Sequence, residues 1–404
     1  MKKLLAAILF VLMLTSPALA AGTETLEYTD NEDVDKSVFA EVQIPTLNEM
    51  PDISSPSAIL IEKETGTVIY EKEPDMILEP ASVTKVMTIL LIVEAIERGD
   101  VSLDETVTCS ARAASMGGSQ VYLKEGEQMT LHDMLKSIVV SSANDAAVAV
   151  AEHLCGSEAG FVSKMNERAQ QLGMTNTNFN NCTGLMDDPK HVTTARDIAV
   201  MSRELISHKI IKDYTTIWTD TIRGGEFGLS NTNKLIRYYV GATGLKTGFT
   251  NRSMYCLSAT AERDGVEYIA VIMHGETSAQ RFEDAKTLLS YGFANYTLAD
   301  TSPSEILPPI PVILGEQKTV QPIAYDMQKI LVPKADAESI HCEIELCSEI
   351  PAPVYEGDIL GTATVYRGDE VIYTYDLKAA NAVSKLSFFD IYLKCLALAY
   401  KNSL

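Results

Sequence analysis

A single Trp, six His and seven Cys are spread over 404 residues, and none of the His or Cys form a His-Glu-x-x-His or Cys-x-x-Cys pair. Those absences exclude a zincin-type metal helix, a zinc ribbon and a thioredoxin-type dithiol. No metal or cofactor is expected. No Gly-x-Ser-x-Gly string occurs, which excludes the nucleophile elbow of the α/β-hydrolases. Basic residues are scarce: 33 Lys and Arg stand against 55 Asp and Glu, a formal charge of -22. Such a surface repels phosphate backbones, so no nucleic-acid partner is expected. Apolar residues at 46% and charged residues at 22% exclude bulk disorder. The Cys are odd in number and irregularly spaced; most read as small buried hydrophobes. Their spacing gives only weak support to a disulfide such as Cys342–Cys347.

The length is too great for one ordinary domain and fits two or three. Lys2 and Lys3 precede an apolar run, Leu4 to Leu14, of 11 residues, followed by Pro17 and Ala18-Leu19-Ala20. The run falls short of the ~20 residues of a membrane span. Charge, apolar run and small-x-small site in that order predict a secretory signal over 1–20, and therefore an exported protein. Residues 21–50 are acidic and aperiodic and read as a flexible lead-in. Ala58 to Ile61 and Thr67 to Tyr70 flank Thr65-Gly66 as a β-hairpin. Helices are predicted over Val83–Arg98, over Leu131–Leu154 with a break near Ser141 to Asn144, and over Gly160–Leu172, Thr194–Ser207 and Ser278–Tyr291. Strands are predicted over Tyr255–Ala261 and Val266–Met273, joined at Asp264-Gly265. The catalytic unit, residues 51–297, thus begins and ends with strands and is helical between. One sheet completed by both ends of the unit, with a helical insertion, is the expected architecture.

Pro303, Pro308, Pro309 and Pro311 read as a linker. Short alternating segments follow (Ile340–Leu346, Ile359–Tyr366, Val371–Leu377), so residues 303–378 are expected to form a small all-β module. Residues 383–404 read as an amphipathic helix. Ser387, Asp390, Lys394 and Lys401 share its polar face, which predicts a helix lying in a membrane interface rather than spanning it.

Three short strings carry chemistry. Ser82-Val83-Thr84-Lys85 opens the first helix, where a spacing of three puts hydroxyl and amine on one face. A helix N-terminus favours negative charge, and a buried Lys loses enough basicity to serve as a base. It is the only Ser-x-x-Lys in the chain. Ser142-Ala143-Asn144 falls at the break between two helical stretches. Lys246-Thr247-Gly248 precedes the strand Tyr255–Ala261, where Lys and Thr meet a substrate carboxylate and Gly permits close approach.

In that order, these strings resemble the active-site serine penicillin-recognising enzymes. Their flanks, Glu79-Pro80-Ala81-Ser82, Asn180 to Leu185, His191 to Asp197 and Gly244 to Thr250, resemble the D-alanyl-D-alanine carboxypeptidases, the low-molecular-mass penicillin-binding proteins. The resemblance runs along essentially the whole chain. It implies an α+β catalytic domain of the serine β-lactamase and DD-peptidase type, with an antiparallel sheet and a helical subdomain. A small β domain and an amphipathic anchor follow it. It implies a serine enzyme that removes the terminal D-alanine of peptidoglycan stem peptides through an acyl-enzyme on Ser82, that is blocked by β-lactams, and that works on the outer face of the cytoplasmic membrane. By correspondence Lys85 is the general base and Ser142 relays a proton to the leaving D-alanine. Asn144, Lys246, Thr247, Gly248, Phe249 and Arg281 surround the substrate. Backbone N–H groups of Ser82 and Phe249 form the oxyanion hole.

Two positions depart from the pattern: Arg252-Ser253-Met254-Tyr255 stands where a small pair is common before the Tyr, and Thr243 replaces a frequent Asp. Three other readings compete. A β-lactamase needs a deacylating carboxylate in a Glu-x-x-Leu-Asn setting, which is missing. A DD-endopeptidase or transpeptidase acting on cross-linked peptides shares all three strings. A non-catalytic wall-binding scaffold would lack one of the catalytic residues, and none is lacking.

Overall fold

A computed structural model describes residues 49–185, 188–303, 306–325 and 327–401. The expected export signal and the lead-in up to residue 48 lie outside them. The continuous apolar stretch at Ala58 to Ile61 forms β1 (Ser57–Glu62), buried along its whole length, and turns at Gly66 (φ +73°) into β2 (Val68–Lys72). Far along the chain come β3 (Ala242–Thr250), β4 (Met254–Arg263) and β5 (Val266–Gly275). The five strands form one sheet in the order β2-β1-β5-β4-β3, with β1 antiparallel to β5 from Ser57↔Met273 to Glu62↔Tyr268. Both ends of the unit therefore complete one sheet, as the order of predicted elements implies.

Between them lie α1 (Lys85–Glu97), α2 (Leu131–Val140), α3 (Asn144–Cys155), α4 (Glu158–Gln171) and α5 (Ala195–Ser207); α6 (Ser278–Asn295) follows the sheet. Helix α1 is apolar around most of its circumference, and a helix of that kind belongs inside a core. Val86, Met87, Ile89, Leu90, Ile92 and Val93 are all buried, each worth about 1.5–3 kcal/mol relative to exposure. Alternate residues of the central strands serve two layers. Ile59, Ile61, Ile269, Val271 and Met273 join the core of the helical insertion. Leu60, Ala270 and Ile272 are equally buried, and α6 packs against β1, β4 and β5.

Beyond α6, β6 (Tyr296–Ala299) pairs with Ile330–Pro333. A four-stranded sheet then joins Pro322–Ala324, Glu370–Ala379, Ile359–Arg367 and Ile340–Leu346 in that order. Two expectations need correcting here. The linker is shorter than the prolines suggested, because Ile310–Ile313 is a strand between Thr319–Val320 and Ile350–Pro351. Pro311 is tolerated there because the parallel pairing engages Val312 and Ile313. The terminal helix, α7, begins at Phe388 and runs to Lys401, not from 383. Val383 is buried in the β module and exchanges backbone bonds with Val354, while Leu386 N–H donates to Leu314. No disulfide joins Cys342 and Cys347; both are free thiols. The extended strand Ile340–Leu346 contains Cys342 and ends one residue before Cys347. Five steps of ~3.3 Å hold their backbones well beyond disulfide reach. Among the described residues, no helix is long and apolar enough to cross a membrane.

Candidate active site

Ser82 sits in a single 3-10 turn, Ala81–Thr84, that runs directly into α1. Ala81 holds φ +46°, a left-handed conformation that a residue with a Cβ adopts only when its surroundings impose it. Those surroundings are visible. The Ala81 carbonyl accepts the Thr84 hydroxyl at 2.8 Å, and Thr84 Oγ1 lies 2.7 Å from His191 Nε2. His191 Nδ1 accepts the Asn180 N–H at 2.9 Å, so its proton resides on Nε2 and is donated to Thr84. Burial holds the His191 ring neutral, its pKa pushed down to about 4. Gly184 (φ +74°) lies against the same carbonyl: a Cβ there would stand 1.8 Å from Ala81 O.

Lys85, at the first position of α1, is fully buried. Its Nζ donates to Ser82 Oγ at 3.0 Å, to Asn144 Oδ1 at 2.5 Å and to the Thr183 carbonyl at 3.0 Å. Burial lowers its pKa from 10.5 to about 7, against the smaller opposing pull of Cys182 and Asp145. Asn144 opens α3 and is anchored on its other side by Nδ2 donating to Gly117 O at 2.8 Å. Ser142, in the gap between α2 and α3, holds φ +60° and is 3% exposed, and its hydroxyl has no partner. A buried hydroxyl left unpaired in this way costs about 1–3 kcal/mol; a ligand that reaches it removes that cost.

Strand β3 forms the opposite wall. Gly248 packs so closely on the serine turn that a Cβ would lie 2.7 Å from Pro80 O and 3.1 Å from Ser82 N. Lys246 is buried, and its Nζ donates to the Thr247 carbonyl at 2.9 Å. Its pKa is driven well below 10.5 by burial first, then by the Lys85 and Arg281 cations. Thr247 Oγ1 donates to Thr232 Oγ1 at 2.7 Å, and Thr232 N–H bonds Val140 O, tying the strand to the end of α2. Phe249 is half exposed and stacks at a tilt on Tyr255, centroids 4.3 Å apart. Arg281, from α6, donates Nη1 to Gly248 O at 2.9 Å and to Cys256 O at 3.3 Å. It holds the strand from behind, and burial lowers its pKa to about 10. Arg252, in the loop after β3, pairs with Glu79 at 2.6 Å beside the serine turn.

The structure thus gathers Ser82, Lys85 and Asn144 into one hydrogen-bonded cluster. It seats Gly248 on the serine turn and leaves Lys246 within the electrostatic reach of Lys85. Four contributors lie outside the three catalytic strings: the Thr183 carbonyl, Gly184, His191 and Thr232. Thr183, Gly184 and His191 lie within strings that carry the family resemblance, which was the only signal for them; Thr232 had none.

A profile of the D-alanyl-D-alanine carboxypeptidase peptidases matches residues 44–277, and one of the penicillin-binding protein 5 C-terminal domain matches residues 302–385. The chain is 38% identical over 340 residues to D-alanyl-D-alanine carboxypeptidase DacF of Bacillus subtilis, covering 82% of this chain and 86% of that one. Its fold is similar to penicillin-binding protein 5 of Haemophilus influenzae (TM-score 0.72, 28% identity, covering 83% and 99% of the two chains). It is also similar to penicillin-binding protein D2 of Listeria monocytogenes in an ampicillin-bound form (TM-score 0.55, 32% identity, covering 60% and 100%).

Proposed function

The chain belongs to the D-alanyl-D-alanine carboxypeptidase family, and from that premise we propose that it removes the terminal D-alanine from peptidoglycan stem pentapeptides through an acyl-enzyme on Ser82. The observation that carries the assignment is the buried 3.0 Å contact between Lys85 Nζ and Ser82 Oγ, made by a lysine whose pKa lies at about 7. A neutral amine at that distance accepts the hydroxyl proton as Oγ attacks the carbonyl of the D-Ala-D-Ala bond. Backbone N–H groups of Ser82 and Phe249 receive the developing oxyanion, with Gly248 allowing the strand to approach. Ser142 is the group that passes a proton to the leaving amine, a role that suits its unpartnered hydroxyl. Water then hydrolyses the ester with Lys85 as base.

Lys246 and Thr247 take the terminal carboxylate. A carboxylate arriving beside Lys246 supplies the countercharge that its buried surroundings lack, so binding and protonation of that lysine reinforce each other. Asn144 holds both Lys85 and the substrate side of the cleft. Arg281 adds positive field and keeps β3 in place through Gly248. β-Lactams present the same carbonyl and carboxylate and acylate Ser82.

The protein acts from the outer face of the cytoplasmic membrane. The signal pattern at the N-terminus supports export. At the other end, Phe388, Phe389, Tyr392, Leu393 and Leu396 of α7 are exposed, which supports a helix that lies in the membrane interface.

The test is D-alanine release from a peptide ending in Lys-D-Ala-D-Ala, with and without penicillin, by the wild type and by Ser82→Ala. Release that penicillin blocks and that Ser82→Ala abolishes, with an unchanged circular dichroism spectrum, is expected. Wild-type labelling by penicillin that persists in Ser82→Ala would overturn the nucleophile. Labelling without release would move the substrate to cross-linked peptides.

A further inference from the structure

At the ends of α1 and α5 remote from the serine turn, four side chains form a cluster that the reaction does not use. Glu94 and Glu97 leave the last turn of α1; Glu204 and His208 leave the end of α5. A ring nitrogen of His208 and one carboxylate oxygen each from Glu94 and Glu204 lie within 4.8 Å of one another. His208 Nδ1 meets Glu97 Oε2 at 2.7 Å. A carboxylate only accepts, so Nδ1 is the donor to Glu97 and Nε2 is the nitrogen left to a metal ion. That Nε2 is buried and has no partner. The side chain as a whole is 15% exposed, against 47% for Glu97.

Arg168, from α4, organises the carboxylates. Its Nε donates to Glu94 Oε1 at 2.8 Å and its Nη2 to Glu204 Oε1 at 2.5 Å. The guanidinium thus takes Oε1 of each and leaves Oε2. Charge is not balanced: Arg168 and Glu97 cancel, and Glu94 and Glu204 remain, with only the half-exposed Arg98 at 3.9 Å from Glu94 Oε2.

We propose that Glu94, Glu204 and His208 bind a zinc-class divalent cation, with Glu97 orienting the imidazole and Arg168 orienting the two carboxylates. One imidazole and two carboxylates make an N/O donor set suited to Zn²⁺, whereas Mg²⁺ and Ca²⁺ prefer oxygen alone. A carboxylate on the far nitrogen of a ligating His is the usual support of such a ligand. Tetrahedral bonds of ~2.1 Å need ligand atoms ~3.4 Å apart, so side-chain rotations of about an ångström close the site. The ion offsets the two residual charges and clips the end of α1, the helix that begins at Lys85, to the end of α5. Its role is structural. No single sequence string marks the site, because Glu94 comes from α1 and Glu204 and His208 from the end of α5.

The test uses the purified full chain, stripped with EDTA and dialysed, titrated with ZnCl₂ by calorimetry and followed by thermal melting. MgCl₂ serves as the comparison cation. The wild type is expected to bind one more Zn²⁺ than His208→Gln or Glu204→Gln, and zinc is expected to raise Tm by several degrees in the wild type alone. Glu97→Gln is expected to weaken binding about tenfold. D-Alanine release by zinc-free wild type and by both ligand variants should be equal. Zinc stoichiometry and Tm shift unchanged in both variants would overturn the site, as binding then resides elsewhere. A Mg²⁺ shift as large as the Zn²⁺ shift would also overturn it, as would no zinc binding at micromolar concentration.

Discussion

The pH dependence of acylation follows from the burial of Lys85. With Lys85 as the proposed base, the competent form is its neutral amine. With a pKa at about 7, about 1% of the enzyme carries it at pH 5 and about 99% at pH 9, so the second-order rate of penicillin acylation climbs about a hundredfold across that range and levels above pH 8. A lysine at its ordinary 10.5 would give a rate still rising tenfold per pH unit at pH 9. Stopped-flow mixing with a fluorescent penicillin measures the profile directly. The same lysine has a signature in stability, with a definite sign. Its folded pKa is lowered, so between pH 7 and 10.5 the unfolded chain binds the extra proton and the wild type gains stability as pH rises. The full cost, present at pH 7 and below, is about 5 kcal/mol. The stability advantage of Lys85→Met over the wild type should therefore shrink as pH rises through that window. An acylation midpoint above pH 9, or a Lys85→Met difference that does not change with pH, would refute the argument.

Gly248→Ala inserts a Cβ 2.7 Å from Pro80 O and 3.1 Å from Ser82 N. A displacement of this kind near the reacting atoms is expected to lower acylation about a hundredfold, with the fold retained by circular dichroism; a loss of less than twofold would mean that the strand gives way without moving the serine. A protein ending at Ser387 is expected to leave the membrane fraction while keeping its Tm and activity. One ending at 380 also loses Val383 from the β-module core, about 1.5–3 kcal/mol of apolar burial, and its melting should show that loss. Both proteins still sedimenting with membranes would refute the anchoring role of α7.

The sequence was most informative where chemistry and periodicity coincided. The Ser82 and Lys85 pair sits at a helix start because a long apolar run follows it, and the break at Ser142 interrupts two helices whose apolar faces are otherwise continuous. Strand β3 was harder to read: Gly241, Gly244 and Gly248 give its stretch a turn-like composition, and only pairing with β4 makes it a strand. Those glycines are there for close approach. Thr232 was invisible for a different reason, since its hydroxyl matters only because the fold brings it to Thr247. The strained Ala81 is likewise held by Gly184 and by Thr84 with His191, contacts between residues about a hundred positions apart that local propensity cannot register. The short strand around Pro311 and the single bridge at Val383 carry too few residues for alternation to show.

A sheet finished by the two ends of its own unit sets the order in which the enzyme becomes competent. Ser55 reaches across 229 residues to bond Asp284, and β1 finds β5 only after the whole helical insertion has been synthesised and threaded between them. Pairings of such high contact order form slowly. Until they form, nothing holds β3, with Lys246, against the Ser82 turn. A half-folded chain therefore carries Ser82 and Lys85 on one turn and helix without the opposing strand, and activity is expected to report completed folding.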